Sequence, residues 1–321
     1  MARKRISVKN EANYTMEERF NDYIAEKRGL NLSPKTITCY IESFNRFSEI
    51  IDPSINIREL TRSDVYSFSN DLLEQGDIKI TSINHYLRDI RAFLYWCMDN
   101  GYMDSFKVEM LKYQEEPKQT YTKEELKLLL AKPKNSNDFV ELRTFTIIQW
   151  IIGTGNRIST ICNVKINDVD FKNKKIYLRH TKNKKLQEIP LSPSLARIIR
   201  DYIKKTNDTE NRSEYLFCNV YNEKLTPNAI KQSLRDYNLA RGVKKTSAHA
   251  LRHTFAKEYI ATGGDCMKLQ RILGHSSLEM TRKYVNLLTE DLQRDFENYS
   301  LLDRMSQSNS KEHKMKIRKS A

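Results

Sequence analysis

The chain has 321 residues, with 55 lysines and arginines against 41 aspartates and glutamates, which gives a net charge of +14. Hydrophobic residues make up 39% of it, and the longest strongly apolar stretch, Phe145 to Ile152, is far too short to span a bilayer. No secretory signal is visible, and dispersed cysteines without a Cys-x-x-Cys pair argue against a disulfide framework or a structural zinc site. The basic excess predicts a polyanionic partner, and charge alone leaves its identity open.

Basic residues are concentrated in three places along the chain. Two are the ends, 1–13 and 306–321, which we interpret as solvated tails. The third is internal, between Phe171 and Gln187, where no acidic residue occurs. Its cations are Lys172, Lys174, Lys175, Arg179, Lys182, Lys184 and Lys185. Because this segment is predicted to form a hairpin inside a folded domain, it is the more informative cluster.

Residues 14–105 are predicted to form a small helical domain, because apolar residues recur there on one face of each helix. Helix start signals occur at Ser33-Pro34, at Thr61, and at Thr81 or Ser82. Basic residues that lie off the apolar stripes include Lys35, Arg88 and Arg91. They are candidates for phosphate contacts, and a solvated helix face explains them equally well.

A polar segment, 106–119, lacks periodicity and is interpreted as a linker to a second domain at 120–305. Thr122 and Glu125 form a capping box at the start of that domain. Strands are predicted at 169–180 and 186–191, and helices near 142–152, 194–205, 227–240, 248–262, 266–273, 277–287 and 290–304. The fold class is therefore mainly α with a small β-sheet.

Separated motifs in the second domain each supply a cationic or hydrogen-bonding group. They are Thr-Gly-x-Arg ending at Arg157, Lys182 in the hairpin, His-x-x-Arg from His249 to Arg252, Leu-Gly-His ending at His275, and Tyr284. Taken singly, each is more often structural than functional. His249 and His253 lack the glutamate that follows the first histidine in zinc proteases, so no metal site is expected.

Taken together, the order and spacing of these motifs resemble the tyrosine recombinase (phage integrase) family over nearly the whole chain. The resemblance implies a helical core-binding domain followed by a catalytic domain, with no cofactor. It also implies double-stranded DNA recombination sites as partners and a homotetramer on two duplexes. In such a protein Tyr284 would attack a phosphodiester, forming a 3′-phosphotyrosyl link and releasing a 5′-hydroxyl.

The resemblance also implies a role for each motif around the phosphate. Arg157 and Arg252 would hold its non-bridging oxygens, because a guanidinium binds them in a planar fork. His275 would donate a further hydrogen bond to the same oxygens. His249 would serve as general base or proton relay for Tyr284, because the ordinary pKa of tyrosine is about 10.

The internal basic hairpin would supply the acid for the leaving 5′-oxygen. Lys182 precedes Pro190 by eight residues, which matches the family's hairpin pattern. Lys184 and Lys185 are expected to contact DNA phosphates instead.

One position departs from the family pattern. An acidic residue usually lies three positions after the first arginine, and this chain has Thr160 there. We expect the Thr160 hydroxyl or the nearby Asp168 to help orient Arg157 in its place.

The leading hypothesis is a site-specific recombinase that integrates or excises a mobile element in the bacterial cytoplasm, associated with the nucleoid. The alternatives are a chromosome-dimer resolvase of the same family, a monomeric topoisomerase of the same phosphotyrosine chemistry, and a non-catalytic DNA-binding protein. The short segment before the first helix favours a simple two-domain enzyme. The apolar stripe at 290–304 packs either on its own core or on a neighbouring protomer.

Overall fold

The computed structural model describes residues 14–114, 119–133, 138–179, 186–206 and 213–285. The chain divides into two compact units, Met1–Glu116 and Pro117–Ala321. The mainly helical fold with a small sheet is confirmed. Within the described ranges, every helix is too short or too polar to span a lipid bilayer. The predicted tails, the turn that carries Lys182, Lys184 and Lys185, and the helix at 290–304 lie outside the described residues.

The first unit is built from four helices in its described part. They are α1 (Met16–Gly29), α2 (Pro34–Ser48), α3 (Arg62–Gln75) and α4 (Ile80–Asp99). Aromatic rings fill its core, where Phe20 stacks on Phe44 with ring centroids 3.8 Å apart and meets Phe93 edge-on. A polar pair crosses this core, because the Ser43 hydroxyl donates to the buried Asp89 carboxylate at 3.0 Å.

Two of the predicted starts in this unit are confirmed, and the third is wrong. Ser33 and Thr61 directly precede α2 and α3, whereas α4 begins at Ile80, with Lys79 rather than Thr81 or Ser82 in the capping position. Ile78 and Ile83 flank this start and both pack into the core. An apolar pair in these positions staples the chain to the first turn, so packing outweighs the capping preference of a hydroxyl side chain.

The second unit surrounds one long buried helix. In chain order its elements are α5 (Lys123–Leu130), α6 (Phe139–Thr154), α7 (Ile158–Ile161), β1 (Val169–Asp170), β2 (Lys175–Leu178), β3 (Gln187–Pro190), α8 (Pro193–Thr206), α9 (Pro227–Ala240), α10 (Ala248–Ala261), α11 (Cys266–Leu273) and α12 (Glu279–Val285). Thr122 and Glu125 form the predicted capping box ahead of α5. Helix α6 is buried on several sides and packs against α8, α9 and α10.

The sheet is antiparallel with strand order β1-β2-β3. The predicted single strand at 169–180 is wrong, because a turn divides it into β1 and β2. In this turn the Asp170 carboxylate accepts the N–H groups of Lys172 and Asn173 at 3.0 and 2.8 Å, and Lys174 adopts a left-handed φ of 56°. An aspartate that bonds the backbone two residues on favours a turn over a continuous strand. Lys172 and Lys174 therefore lie on a different turn from the one predicted to carry Lys182.

Candidate active site

The junction between α6 and α7 places the first arginine. Helix α6 ends at Gly155, which has a φ of 65° and whose N–H bonds the Ile151 carbonyl at 2.7 Å. A Cβ there would lie 2.5 Å from Phe255 and 2.6 Å from Leu273, so both the conformation and the space require glycine. Arg157 directly precedes α7 and is half-buried, with its Nη1 atom 3.5 Å from the Leu273 carbonyl oxygen.

Helix α10 carries the second arginine into the interior. Arg252 is 4% exposed, and its Nη1 donates to the Gly155 carbonyl at 2.6 Å. Its Nη2 donates to the Leu273 carbonyl and to Nε2 of His275, both at 2.9 Å. Burial and the charge of Arg157 lower the pKa of Arg252 to about 10, which leaves the guanidinium charged at neutral pH.

The two arginines line one cavity of about 430 Å³, together with Asn156, Gln187 and His275. The acidic residue on its wall, Glu188, pairs with Lys175 at 2.9 Å. The described side chains that line the cavity therefore carry a net positive charge. A cavity of this size and charge suits a phosphate group.

His275 reaches the cavity because α11 ends just before it. Gly274 adopts a φ of 62° at that end, and Nδ1 of His275 lies 2.8 Å from the Thr281 hydroxyl on α12. Arginine has no acceptor atom, so Nε2 of His275 accepts the proton that Arg252 donates. In the neutral ring Nδ1 then carries the hydrogen and donates it to Thr281. The two partners together fix the tautomer and the plane of the imidazole.

Tyr284 lies behind this cavity, on α12. Its hydroxyl is 2.6 Å from Nδ1 of His253, and the side chain is 2% exposed. Its ring is nearly parallel to that of His275, with centroids 6.4 Å apart. Burial raises the pKa of Tyr284 above its usual value, and the nearby charges of Arg252 and Arg157 oppose that rise.

In the sequence analysis, His253 was assigned no function. It was weighed there only as one half of a metal pair, and among the described residues no group of three or more metal-ligating side chains occurs. The sequence gives one indication of its importance, because His253 directly follows Arg252 of the His-x-x-Arg motif. Its relevance depends on where α12 packs, which residue spacing does not reveal.

His249 occupies a different place from the one that its predicted role would suggest. It is exposed near the start of α10 and lines a second cavity with Lys231 and Arg235 of α9. Partial burial, followed by the charges of Arg252 and Arg157, lowers the pKa of His249 below its usual range. The ring is therefore neutral at pH 7, and it lies close enough to the two arginines for their charges to affect its pKa.

Of the two groups expected to support Arg157, Thr160 is the one at the cavity. Thr160 is buried and lines the cavity with Arg157. Asp168 has other partners, because its carboxylate accepts from Nε of Arg179 at 2.7 Å and from the Lys165 N–H at 2.9 Å.

The base of the hairpin is tied to the same cavity through β3. Nε2 of Gln187 donates to the carbonyl oxygens of Arg271 and Ile272, at the end of α11. This contact holds the strand that follows the predicted lysine turn beside the residues that position His275. Lys182 itself lies outside the described residues.

Comparisons with known proteins place the chain in one family. The model of the phage integrase family matches residues 119–291, and that of the phage integrase N-terminal SAM-like domain matches residues 18–104. A tyrosine recombinase, XerA of Pyrococcus furiosus, is 31% identical over 252 residues, which cover 76% of this chain and 83% of the relative. The chain belongs to the phage integrase family of tyrosine recombinases. Proteins of this family are site-specific DNA recombinases.

Other relatives of this tyrosine recombinase agree. XerC of Pediococcus pentosaceus is 27% identical, covering 87% of this chain and 96% of the relative. The solved Tn1549 transposon integrase in complex with circular intermediate DNA has a TM-score of 0.70 at 23% identity, covering 84% of this chain and 94% of that one. The lambda integrase tetramer bound to a Holliday junction has a TM-score of 0.68 at 16% identity, covering 85% and 78%. At these identities the two structures show a shared fold.

The DNA-contact candidates of the recombinase's first unit lie on α2 and α4. Lys35 and Arg88 are exposed, and Arg91 is half-buried with its guanidinium 6.0 Å from the Tyr95 ring centre. Arg88 also lies 3.4 Å from the Asp89 carboxylate, a contact that leaves most of its side chain in solvent. All three side chains thus remain candidates for phosphate contacts.

Proposed function

We propose that this protein is a site-specific recombinase that breaks and rejoins DNA strands through Tyr284 and integrates or excises a mobile element. One observation carries the proposal. Arg252 is a buried cation whose partners among the described residues are two carbonyl oxygens and an imidazole nitrogen, none of them an anion. A buried charge is stabilised by an opposite charge, and Arg157 faces the same cavity. A phosphodiester fits the two guanidinium groups.

The proposed chemistry uses these side chains together with Lys182 of the predicted hairpin turn. The Tyr284 oxygen forms a bond to phosphorus while the bond between phosphorus and the 5′-oxygen breaks. The tyrosine proton passes to a histidine, and the leaving oxygen takes a proton from Lys182. Arg157 and Arg252 stabilise the charge that develops on the non-bridging oxygens, whereas His275 holds the Arg252 guanidinium through Nε2 and can itself donate to the phosphate only once Nε2 is protonated. The 3′-phosphotyrosyl bond retains the free energy of the broken bond, so a 5′-hydroxyl from a partner strand rejoins the DNA without ATP.

The histidine that receives the tyrosine proton in this proposal is His253. Its Nδ1 already lies 2.6 Å from the hydroxyl, within the range required of a general base. His249 was the residue that the sequence pattern favoured for this role. The charges of both arginines lower the pKa of His249, and its ring stays neutral at pH 7. We therefore retain His249 as a relay that passes the proton to solvent.

The nucleophile has to move before it reacts. Tyr284 is 2% exposed, so a phosphate in the cavity meets its hydroxyl only after α12 or its surroundings shift. We propose that assembly provides this shift, as a homotetramer on two duplexes with a Holliday junction intermediate and with 290–304 as the docking segment. The lambda integrase tetramer on a Holliday junction, which shares this fold, supports that assembly.

The test is covalent capture on a nicked suicide duplex. The binding site is first selected from random DNA with the full-length protein, and nicked duplexes are then tiled across the selected site. In EDTA we expect a protein–DNA adduct that survives SDS and is absent with Tyr284→Phe. If no adduct forms on any nicked duplex that the protein binds, the proposal is wrong. Strand exchange between two sites, without relaxation of unrelated supercoiled DNA, separates a recombinase from a topoisomerase.

A second candidate function is the resolution of chromosome dimers. The similarity to recombinases named XerA and XerC favours it, whereas the similarity to a transposon integrase favours the mobile element. Sequencing host DNA for circular-element junctions decides between them. Junctions that depend on Tyr284 support the mobile element. Chromosome dimers that accumulate in the Tyr284→Phe strain, without such junctions, support the resolvase.

A further inference from the structure

Asn156 occupies the short connection between the helix that ends at Gly155 and the helix that starts after Arg157. Its side chain lines the phosphate-sized cavity, although the residue is only 5% exposed. It thus combines nearly complete burial with a position beside Arg157 and Arg252. The motif Thr-Gly-x-Arg leaves this residue without a role.

The orientation of the Asn156 amide is fixed by one neighbour. The indole Nε1 of the fully buried Trp150 lies 2.9 Å from the amide. An indole nitrogen donates and never accepts, so the amide atom facing it is Oδ1. The Asn156 backbone N–H also bonds the Thr154 hydroxyl at 3.2 Å. The side chain is therefore held by α6 in a single orientation.

The other amide atom, Nδ2, has no acceptor in the part of the chain that the structure describes. Among the described residues Nδ2 of Asn156 makes no hydrogen bond, and Oδ1 is taken by Trp150. Nδ2 is also absent from the set of fully buried polar atoms without a partner, so it is accessible to solvent. Because the residue lines the cavity, we infer that Nδ2 faces the cavity space. A donor held rigidly at the wall of a positive cavity, next to two guanidinium groups, is suited to an oxygen of a bound anion.

We propose that Nδ2 of Asn156 donates a hydrogen bond to a non-bridging oxygen of the scissile phosphate. The proposal rests on the recombinase function proposed above and adds a neutral donor to its two cationic forks. A neutral amide adds no repulsion between the cations. Its fixed position also means that no reorganisation is needed as charge develops on the oxygen.

The first test measures anion binding without DNA. Full-length protein is titrated with inorganic phosphate at constant ionic strength, and the unfolding temperature is followed. A ligand that binds the folded state raises this temperature with its concentration. The part of the rise that disappears in Arg252→Ala defines binding in the cavity. For that part we expect the dissociation constant to increase about tenfold in Asn156→Ala, the scale of one hydrogen bond to a charged group.

Two further variants separate loss of the donor from loss of structure. Asn156→Asp keeps the acceptor for Trp150 and places a carboxylate at the cavity, so it should fold normally and bind phosphate even more weakly than the alanine variant. Asn163→Ala removes an amide of the same unit that bonds the Ser159 carbonyl and Lys224 instead, and should bind phosphate as the wild type does. Unchanged phosphate affinity in both Asn156 variants would overturn the proposal.

The second test uses cleavage. On the nicked duplex we expect Asn156→Ala to form adduct about tenfold to a hundredfold more slowly, with DNA affinity within about threefold of wild type. Each non-bridging oxygen of the scissile phosphate is then replaced in turn by methyl, as a stereodefined methylphosphonate. On one diastereomer the wild type and the variant should react at the same rate, because the acceptor of Nδ2 is gone. Equal slowing on both diastereomers and on the phosphodiester would assign Asn156 a structural role only.

The two tests distinguish failure of the recombinase function from failure of the role assigned to Asn156. If the wild type forms no adduct, the recombinase function fails, and the phosphate titration still decides whether Nδ2 binds an anion. If the wild type forms adduct and both Asn156 variants match it, the function stands and the assignment of Asn156 is wrong.

Discussion

Arg252 combines a charge, nearly complete burial and a set of neutral partners. Its hydrogen bonds to the Gly155 and Leu273 carbonyl oxygens join the end of α6 to the end of α11, so the side chain is a structural cross-link as well as a cation. Both tasks need the planar fork of a guanidinium, because an ammonium cannot reach two fixed acceptors and a ligand in the same plane. Because Arg252 has to meet both requirements, a lysine at this position should not replace it.

Replacing Arg252 by lysine should therefore resemble replacing it by alanine. We expect both variants to lower the rate of adduct formation by at least about a hundredfold, the cost of a lost transition-state donor, and to leave DNA affinity within about threefold. Single-turnover cleavage and gel-shift titrations measure the two quantities. As a control, Arg58→Lys alters an exposed arginine of the other unit and should leave both unchanged. Equal losses of binding and cleavage would instead give Arg252 a structural role alone.

The proposed reaction uses two histidines, His253 beside the Tyr284 hydroxyl and His249 as a relay, and pH separates their contributions. The lowered pKa of His249 keeps its ring neutral to a lower pH than a free imidazole, so any acid limb due to His249 lies below about pH 6.5. We expect His253→Ala to reduce cleavage at pH 7.5 by about a hundredfold or more, and His249→Ala by less, with a shift in the acid limb. Rate profiles between pH 5 and 9 provide the measurement. A larger loss in His249→Ala, with His253→Ala near wild type, would return the base to His249.

At the level of elements, the ends of helices decide where the cavity forms. Gly155 and Gly274 both have a positive φ and both immediately precede side chains of the cavity wall. These ends were predictable, because a glycine after an apolar periodic run is a strong local signal. The division of the 169–180 strand and the start of α4 at Ile80 were not. The first depends on an aspartate side chain that bonds the backbone, and the second on packing of Ile78 that spacing alone does not reveal.

The same limit applies within the site. Arg157, Arg252 and His275 occur in recognisable motifs, and the structure brings all three to one cavity. His253 and Asn156 could not be selected from the sequence, because the role proposed for each depends on its contact with one partner, Tyr284 or Trp150. The contact of His253 with Tyr284 exists only once α10 and α12 are packed, and that of Asn156 with Trp150 depends on how the chain turns at the end of α6.

Gly155 tests how strongly the helix end supports the site. A Cβ at Gly155 would meet Phe255 and Leu273 at 2.5 and 2.6 Å, whereas a Cβ at Gly242 would meet nothing within 4 Å. Both residues have a positive φ, 65° and 74°, so alanine brings the same backbone strain of about 1–2 kcal/mol at either position. We expect Gly155→Ala to lower the free energy of unfolding by at least about 2 kcal/mol more than Gly242→Ala.

Urea unfolding measures this difference, and cleavage should follow it. Gly155→Ala displaces the carbonyl that binds Arg252, so adduct formation should fall well beyond the loss in folded protein, while Gly242→Ala cleaves normally. Similar unfolding free energies for the two variants would show that Phe255 and Leu273 adapt to the added methyl group.

Over the whole molecule, each unit has its own hydrophobic core and its own set of candidate cations for DNA contacts. The first unit offers Lys35, Arg88 and Arg91, and the second offers the cavity arginines and the lysines Lys184 and Lys185. The net charge of +14 therefore has distinct parts. In the proposed function, surface cations contribute affinity that salt weakens, whereas Arg157 and Arg252 contribute to the reaction.

The salt dependence of DNA affinity can show which cations contact phosphates. For double-stranded DNA the slope of log affinity against log salt is about −0.9 for each phosphate neutralised. If Lys35, Arg88 and Arg91 each meet a phosphate, changing all three to alanine should make the slope shallower by about 2.7. The cleavage rate of the bound complex should not change. The matched control removes Lys123, Lys204 and Lys205, which carry the same charge on α5 and α8. Equal slopes in the two triple variants would mean that only net charge matters, and the candidates on α2 and α4 would then have no specific contact with DNA.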